Sequence, residues 1–331
     1  MTHWFRNIVS CLAIVGASAC SSPISGAEFV KYHGYETAVE LRNDSVRVVL
    51  CPQVGGRVLE YSLNGINALY LSEQEKQWKP GEPPQASAGR FDIGPELVIP
   101  RRNALWNGEW SAEIVESLHV RLTSPQDSAT GVQLIRDYIL DAQSTHLECR
   151  QTIINVSDEA KEWCHWSRTF AVGKGICVIP LTDPATGPNT RFPNSYVMYE
   201  EGSIINMKPE DPNIRRRENV LEIHPTPRRP KLGFDSYAGE ILYAAPNNLL
   251  FVKRFSTWPD RVYNEAAGLT ISVWYPDNQM VELEPIGPRE RLLPGQSASF
   301  SEHWWLAPFD FPADGTSLDL TSLRRAADQV K

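Results

Sequence analysis

Glu282 and Glu284 stand two residues apart in Val281-Glu282-Leu283-Glu284-Pro285, so an extended chain puts both carboxylates on one face and Val281, Leu283 and Pro285 on the other. Like charges so placed repel, and each pushes the other's pKa toward the range a general base needs; a solvated strand edge would give the same pattern. His165 lies in Trp163-Cys164-His165-Trp166, with Phe170 beyond. Such apolar neighbours either keep an imidazole neutral for proton transfer or simply pack around it. Arg57 follows Gly55-Gly56, a tight turn that can direct five guanidinium donors at a polyhydroxyl or carboxylate ligand, although a surface ion pair is the plainer use. Phe91-Asp92-Ile93-Gly94-Pro95-Glu96 reads as a rigid loop bearing two carboxylates, with Asp92 either reaching a site or satisfying the turn. Trp166 and Trp274 sit beside these motifs and can stack on a ligand, though most tryptophans in a β protein belong to its core. Arg215-Arg216-Arg217 and Arg228-Arg229 read as solvated loop charges. A Gly-x-Ser-x-Gly elbow, a Gly-rich phosphate loop and a His-Glu-x-x-His motif are all missing, so no metal or other cofactor is expected. Glycoside hydrolysis also uses paired carboxylates, but it needs them about 5 Å or more apart across a scissile bond, which spacing along a chain does not establish.

The N-terminus sets where this chemistry would operate. Arg6, the apolar run Ile8 to Gly16 and the small residues Ala17-Ser18-Ala19 have the layout of a signal peptide at 1–19. That run is shorter than the roughly 20 apolar residues that cross a bilayer. Cys20 follows at once, then the polar stretch Ser21 to Gly26, an arrangement that resembles a bacterial lipobox with a tether over 20–27; Ala17 stands where Leu is usual. Lipidation of Cys20 and ordinary cleavage after Ala19 are the two outcomes, and both place the protein outside the cytoplasm, in the periplasm or at the cell surface. Without the signal the chain carries 31 basic and 40 acidic residues, a balance that argues against nucleic acid or an anionic membrane surface as main partner. A membrane contact would come through the lipid anchor. Cys51, Cys149, Cys164 and Cys177 remain in a compartment that permits disulfides, and their spacing does not choose between bridges and buried thiols.

Short alternating segments bounded by Gly, Pro, Asn or Asp position these residues and predict an all-β protein. Strands are expected at Val46–Leu50, Arg57–Leu63, Val132–Leu140, Leu147–Ile154, Trp163–Val172, Leu249–Phe255, Thr270–Tyr275, Met280–Ile286 and Ala298–Leu306. Turns are expected at Asn155–Glu159 and Gly173–Gly175, with long loops at Gln77–Ala88 and Asp183–Pro230. Ser317 is positioned to cap a short C-terminal helix from Leu318 to Val330. No linker divides residues 28–331, which read as one domain.

Three blocks carry a resemblance in order. Pro52-Gln53-Val54-Gly55-Gly56-Arg57-Val58 with Asn64-Gly65, Gln151 to Ser157 with Trp163 to Trp166, and Val281 to Pro285 with Leu292-Leu293-Pro294-Gly295-Gln296 together resemble galactose mutarotase-like (aldose 1-epimerase-like) proteins, especially their exported bacterial relatives. The resemblance implies a large antiparallel β-supersandwich whose concave sheet holds a free sugar or sugar derivative. It also implies Glu284 as base and His165 as acid of an epimerisation, with Arg57 and Glu96 orienting substrate beside Trp166, Trp274 and Glu282. A shift of one alignment step would make Glu282 the base. The chain departs from the family where Trp166-Ser167-Arg168 replaces an aromatic-Phe-Asn stretch, and an expected Asn-Arg pair has no counterpart. A non-catalytic carbohydrate-binding surface lipoprotein is the alternative that the same scaffold allows.

Overall fold

A computed structural model describes residues 25–185, 187–201, 204–313 and 317–330, besides Met1. Residues 2–19 of the expected signal peptide, and Cys20, lie outside the described residues. In chain order the strands are β1 (Gly26–Tyr32), β2 (Tyr35–Arg42), β3 (Val46–Cys51), β4 (Arg57–Leu63), β5 (Ile66–Asn67), β6 (Gly89–Gly94), β7 (Ser111–Glu116) and β8 (His119–Thr123). They continue with β9 (Val132–Leu140), β10 (Leu147–Asn155), β11 (Lys161–Val172), β12 (Ile176–Pro180), β13 (Val197–Tyr199), β14 (Ile205–Asn206), β15 (Ile214–Arg217) and β16 (Val220–Ile223). The last are β17 (Lys231–Phe234), β18 (Glu240–Ala245), β19 (Leu249–Phe255), β20 (Ile271–Trp274), β21 (Met280–Pro285), β22 (Glu290–Leu292) and β23 (Ser297–Pro308). Helices are α1 (Glu73–Lys76), α2 (Asn103–Trp106) and α3 (Leu320–Gln329), none long and apolar enough to cross a membrane.

These strands form two antiparallel sheets. The larger runs β1-β2-β3-β4-β6-β11-β21-β20-β17-β13-β14, with β5 and β22 alongside, and the smaller runs β15-β16-β12-β18-β19-β23-β10-β9-β8-β7. Period-two burial decides which face of each strand turns inward: along β10, Leu147, Cys149, Gln151, Ile153 and Asn155 are buried and the residues between them are not. The shared core is filled by Val48, Val58, Phe91, Ile93, Val281 and Leu283 from the larger sheet and Leu134, Tyr138, Ile153, Phe251, Trp304 and Leu306 from the smaller. Phe91 and Trp304 stack across it at 5.7 Å.

Polar pins also cross this core. Arg136 donates to the carbonyls of Gly55, Gly56 and Phe91, and Gln151 donates to Asp92 O at 2.7 Å. The Gly55-Gly56 turn needs both glycines, since φ is +69° and +54° and an added Cβ would come within 2.4 Å of Trp106 O and 2.6 Å of the Trp110 ring. Lys253 of β19 pairs with Glu302 of β23 at 2.9 Å, both fully buried, and donates to Ser167 and Thr169 of β11 and to Leu283 O of β21.

The all-β expectation holds, and β4, β9 and β19 have the expected bounds. Three local expectations change. Gly89–Gly94 is a strand inside the larger sheet, paired with β11, where a loop was expected. The span expected to be one long loop at Asp183–Pro230 holds β13 to β16, which extend the edges of both sheets. Asp319 caps α3 through Thr321 N and Ser322 N, so the helix starts at Leu320, later than Ser317 would set it. Cys51, Cys149, Cys164 and Cys177 are all buried free thiols.

Candidate functional site

The centre of the larger sheet turns a second face away from the core, and the alternation on β11 defines it. Ser167 and Thr169 accept from Lys253 behind the sheet, so Trp166, Arg168 and Phe170 point to the outer face. There Trp166 Nε1 donates to Glu284 at 2.6 Å and Arg168 Nε donates to Glu282 at 2.8 Å. Lys231, brought in by β17, donates to both oxygens of Glu284 at 2.7 Å. Strand β20 places Trp274 opposite Glu282, edge-on to Phe170 at 6.2 Å.

Strand β6 adds Arg90 and Asp92 to the same face, because Phe91 and Ile93 between them enter the core. Asp92 accepts from Arg102 Nε at 2.7 Å and from Trp106 Nε1 at 2.9 Å, both carried by the segment through α2. Burial alone would raise the Asp92 carboxyl; the Arg102 hydrogen bond and charge outweigh it and hold the pKa low. The Trp106 ring has Arg90 at 4.2 Å, Arg102 at 4.9 Å and Arg168 at 5.2 Å from its centroid.

A second end of the face gathers around Glu96. Its side chain lies 3.6 Å from Lys231 Nζ, and its backbone N–H donates to Glu265 Oε2 at 2.8 Å. Glu265 is 2% exposed, and its Oε1 has no hydrogen-bond partner among the described residues. Burial, reinforced by the Glu96 charge, pushes the Glu265 carboxyl up to about 7. The Tyr199 hydroxyl next to it is buried and unpartnered as well. Glu282 is also raised, by burial first and then by Glu284, with Arg168 opposing. Burial disfavours the Lys231 ammonium, yet Glu284 and its neighbours raise its pKa. At mid pH the face is therefore a lattice of fixed cations, ionised carboxylates and acid groups able to hold a proton near neutrality. Glu282, Glu284 and Asp92 are buried within it, and Glu96, Arg102, Arg168 and Lys231 are its partly open polar groups. Among the described residues no cluster of three or more His, Cys, Asp or Glu is placed to hold a metal ion.

The residues singled out from the sequence divide sharply. Glu282, Glu284, Glu96, Trp166 and Trp274 come together on this face. His165 does not: it points to the other side of β11, stacked on Phe300 at 5.7 Å, with both ring nitrogens buried and, among the described residues, without a partner beyond a weak contact with the Ala298 backbone. Burial drives its pKa down to about 3. Consecutive strand residues face opposite ways, so His165 and Trp166 cannot share a cleft. Arg57 is on the outer side but sealed, pairing with Glu75 at 2.6 Å and Tyr35 at 2.7 Å beneath Trp78, which stacks on Tyr35. Its guanidinium is fully buried and does not reach the mouth. Trp166 offers no open ring face, since Arg168 and Lys231 lie 4.6 Å and 5.3 Å over it. Arg90, Arg102, Lys231, Tyr199 and Glu265 were not legible as site residues. Arg168 had a signal, its even spacing from Trp166 along the strand.

No family model and no curated protein matches the chain in sequence. In structure it is similar to the Slr1438 protein of Synechocystis sp. PCC 6803, at 15% identity and TM-score 0.58 over 84% of this chain and 98% of that one. It is likewise similar to a galactose mutarotase-like protein from Lactobacillus casei ATCC 334, at 11% identity and TM-score 0.56 over 81% and 99% of the two chains. A galactose mutarotase related enzyme from Lactobacillus acidophilus gives 11% identity and TM-score 0.55 over 83% and 99%. The chain has the galactose mutarotase-like fold.

Proposed function

We propose that the protein binds a carbohydrate, a free sugar or sugar derivative, on the outer face of the larger sheet. One observation carries this reading: the adjacent carboxylates of Glu282 and Glu284, each gripped by a cation, lie between the partly open indoles of Trp106 and Trp274. Fixed donors and acceptors beside indole surfaces suit the alternating hydroxyls and C–H faces of a sugar. The mutarotase-like fold supports the same assignment. Binding without turnover is favoured, because the acid expected at His165 lies behind the sheet and Glu284 is engaged by Lys231 and Trp166.

Acid–base epimerisation is the second reading, and the raised carboxyls of Glu265 and Glu282 favour it. Glu265 would then supply the proton that His165 cannot, and Glu284 or Glu282 would accept one. Saturation-transfer NMR against a panel of monosaccharides tests binding, and anomer exchange in the same samples tests turnover. Absence of contact with every sugar would overturn the carbohydrate assignment. Exchange faster than buffer would replace the binding protein with an isomerase. Export, with a lipid on Cys20, completes the proposal; a Cys20→Ala chain that still partitions with membranes would refute the anchor.

A further inference from the structure

Arg90 is 6% exposed and makes no ion pair, and its Nη1 is buried without a hydrogen-bond partner among the described residues. Its neighbours are matched: Arg102 by Asp92, Arg168 by Glu282 and Arg57 by Glu75. Of the three guanidinium groups around the Trp106 ring, Arg90 is therefore the one without a carboxylate of its own among the described residues. An uncompensated buried charge is costly, and stacking on an indole returns only part of that cost. Packing does not explain the choice either, since an apolar side chain on that face would avoid the penalty.

We propose that Arg90 receives a singly charged acidic group of the bound sugar, a carboxylate or a sulfate ester. This rests on the carbohydrate reading above and narrows it to acidic sugars. The guanidinium fork matches the paired oxygens of either group, and the partly open Arg168 next to it adds a second donor set. Burial, then the charges of Arg57 and Arg168, makes the protonated guanidinium unfavourable, and an arriving anion relieves this.

Calorimetric titration of the full chain with glucose, galactose, glucuronate, galacturonate and galactose 6-sulfate tests the proposal. An acidic sugar should bind at least about tenfold more tightly than its neutral parent, with an advantage that shrinks as sodium chloride rises. Preference for the uronates or for the sulfate ester identifies the group. Arg90→Gln should abolish the advantage, and Arg90→Lys should retain part of it. Equal affinity for neutral and acidic sugars in the unmutated protein overturns the proposal and leaves the carbohydrate reading standing. Absence of binding by every sugar overturns both. The salt series on the unmutated protein decides the matter even where the variants misfold.

Discussion

The indole nitrogen of Trp166 donates to the Glu284 carboxylate at 2.6 Å, which ties β11 to β21 on the face opposite the core. Glu284 is fully buried and, among the described residues, Lys231 is its other side-chain partner, so the indole shares in solvating that charge. Trp166→Phe should destabilise the fold by about 1.5–3 kcal/mol, the usual worth of a hydrogen bond to a charged group. Lys231→Met should cost more, about 3–5 kcal/mol, because it leaves a buried carboxylate without its counter-ion. Urea denaturation of both variants checks the order.

Stability should depend on pH through groups of opposite sign. His165 titrates at about 3 when folded against 6.5 ordinarily, so the unfolded chain binds the extra proton and stability is eroded as pH falls from 6.5 toward 3. Glu265 titrates at about 7 against 4.5, so the folded chain binds the extra proton and stability is lost as pH rises from 4.5 to 7. Glu282 adds to the second trend. The two trends oppose each other where they overlap. His165→Leu should weaken the gain with rising pH, to which His33 and His146 still contribute, and Glu265→Gln should weaken the loss, to which Glu282 still contributes. Denaturation midpoints measured every half pH unit would reveal either slope, and unchanged profiles would contradict the burial of both groups.

His165→Leu should also leave sugar binding intact. Among the described residues neither ring nitrogen has a hydrogen-bond partner beyond a weak contact with the Ala298 backbone, so replacing the imidazole with a hydrocarbon of similar bulk should be neutral or stabilise by about 1–2 kcal/mol. A loss of binding in a variant with an undisturbed circular dichroism spectrum would restore His165 to the site.

Lys253 and Glu302 form a buried pair whose cation also holds the inner side of β11 and β21. Lys253→Met should cost about 3–5 kcal/mol, and adding Glu302→Gln should recover much of it, since a lone buried charge is worse than none. A double-mutant cycle by thermal melting measures the coupling.

Arg57 anchors the 72–88 segment through Glu75, which accepts from Tyr35, Ser87 and Gln85 N as well. Glu75→Gln should loosen that segment and make it the first site of limited proteolysis, with little effect on the outer face around Glu284. Cleavage that begins elsewhere would argue against this anchor.

Much of this was legible in the sequence because sheets obey a strict period. The shared face of Glu282 and Glu284 follows directly from alternation, and the bounds of Arg57–Leu63 from the Gly55-Gly56 and Asn64-Gly65 turns on either side. The same rule already separates His165 from Trp166, yet the motif resemblance drew both toward one cleft. Arg90 was hidden, and Asp92 was read as a loop residue, because the glycines at both ends of Gly89–Gly94 and the proline that follows imitate a loop. Lys231 and Glu265 escaped because they lie in segments whose meaning depends on partners more than 50 residues away.

The position of β23 has a further consequence for how the molecule comes into being. It is the last strand in the sequence, yet it lies between β10 and β19 in the middle of the smaller sheet, pairing Leu147 with Trp304 and Val252 with Trp305. A chain growing from its N-terminus must therefore hold two half-sheets apart, each with an unsatisfied edge, until that strand slides in between them. Assembly is gated by its most distant pairings, which makes it slow and leaves the edges open to other chains meanwhile. A fragment ending before Ser297 would be two ladders without their common rung, prone to join with copies of itself.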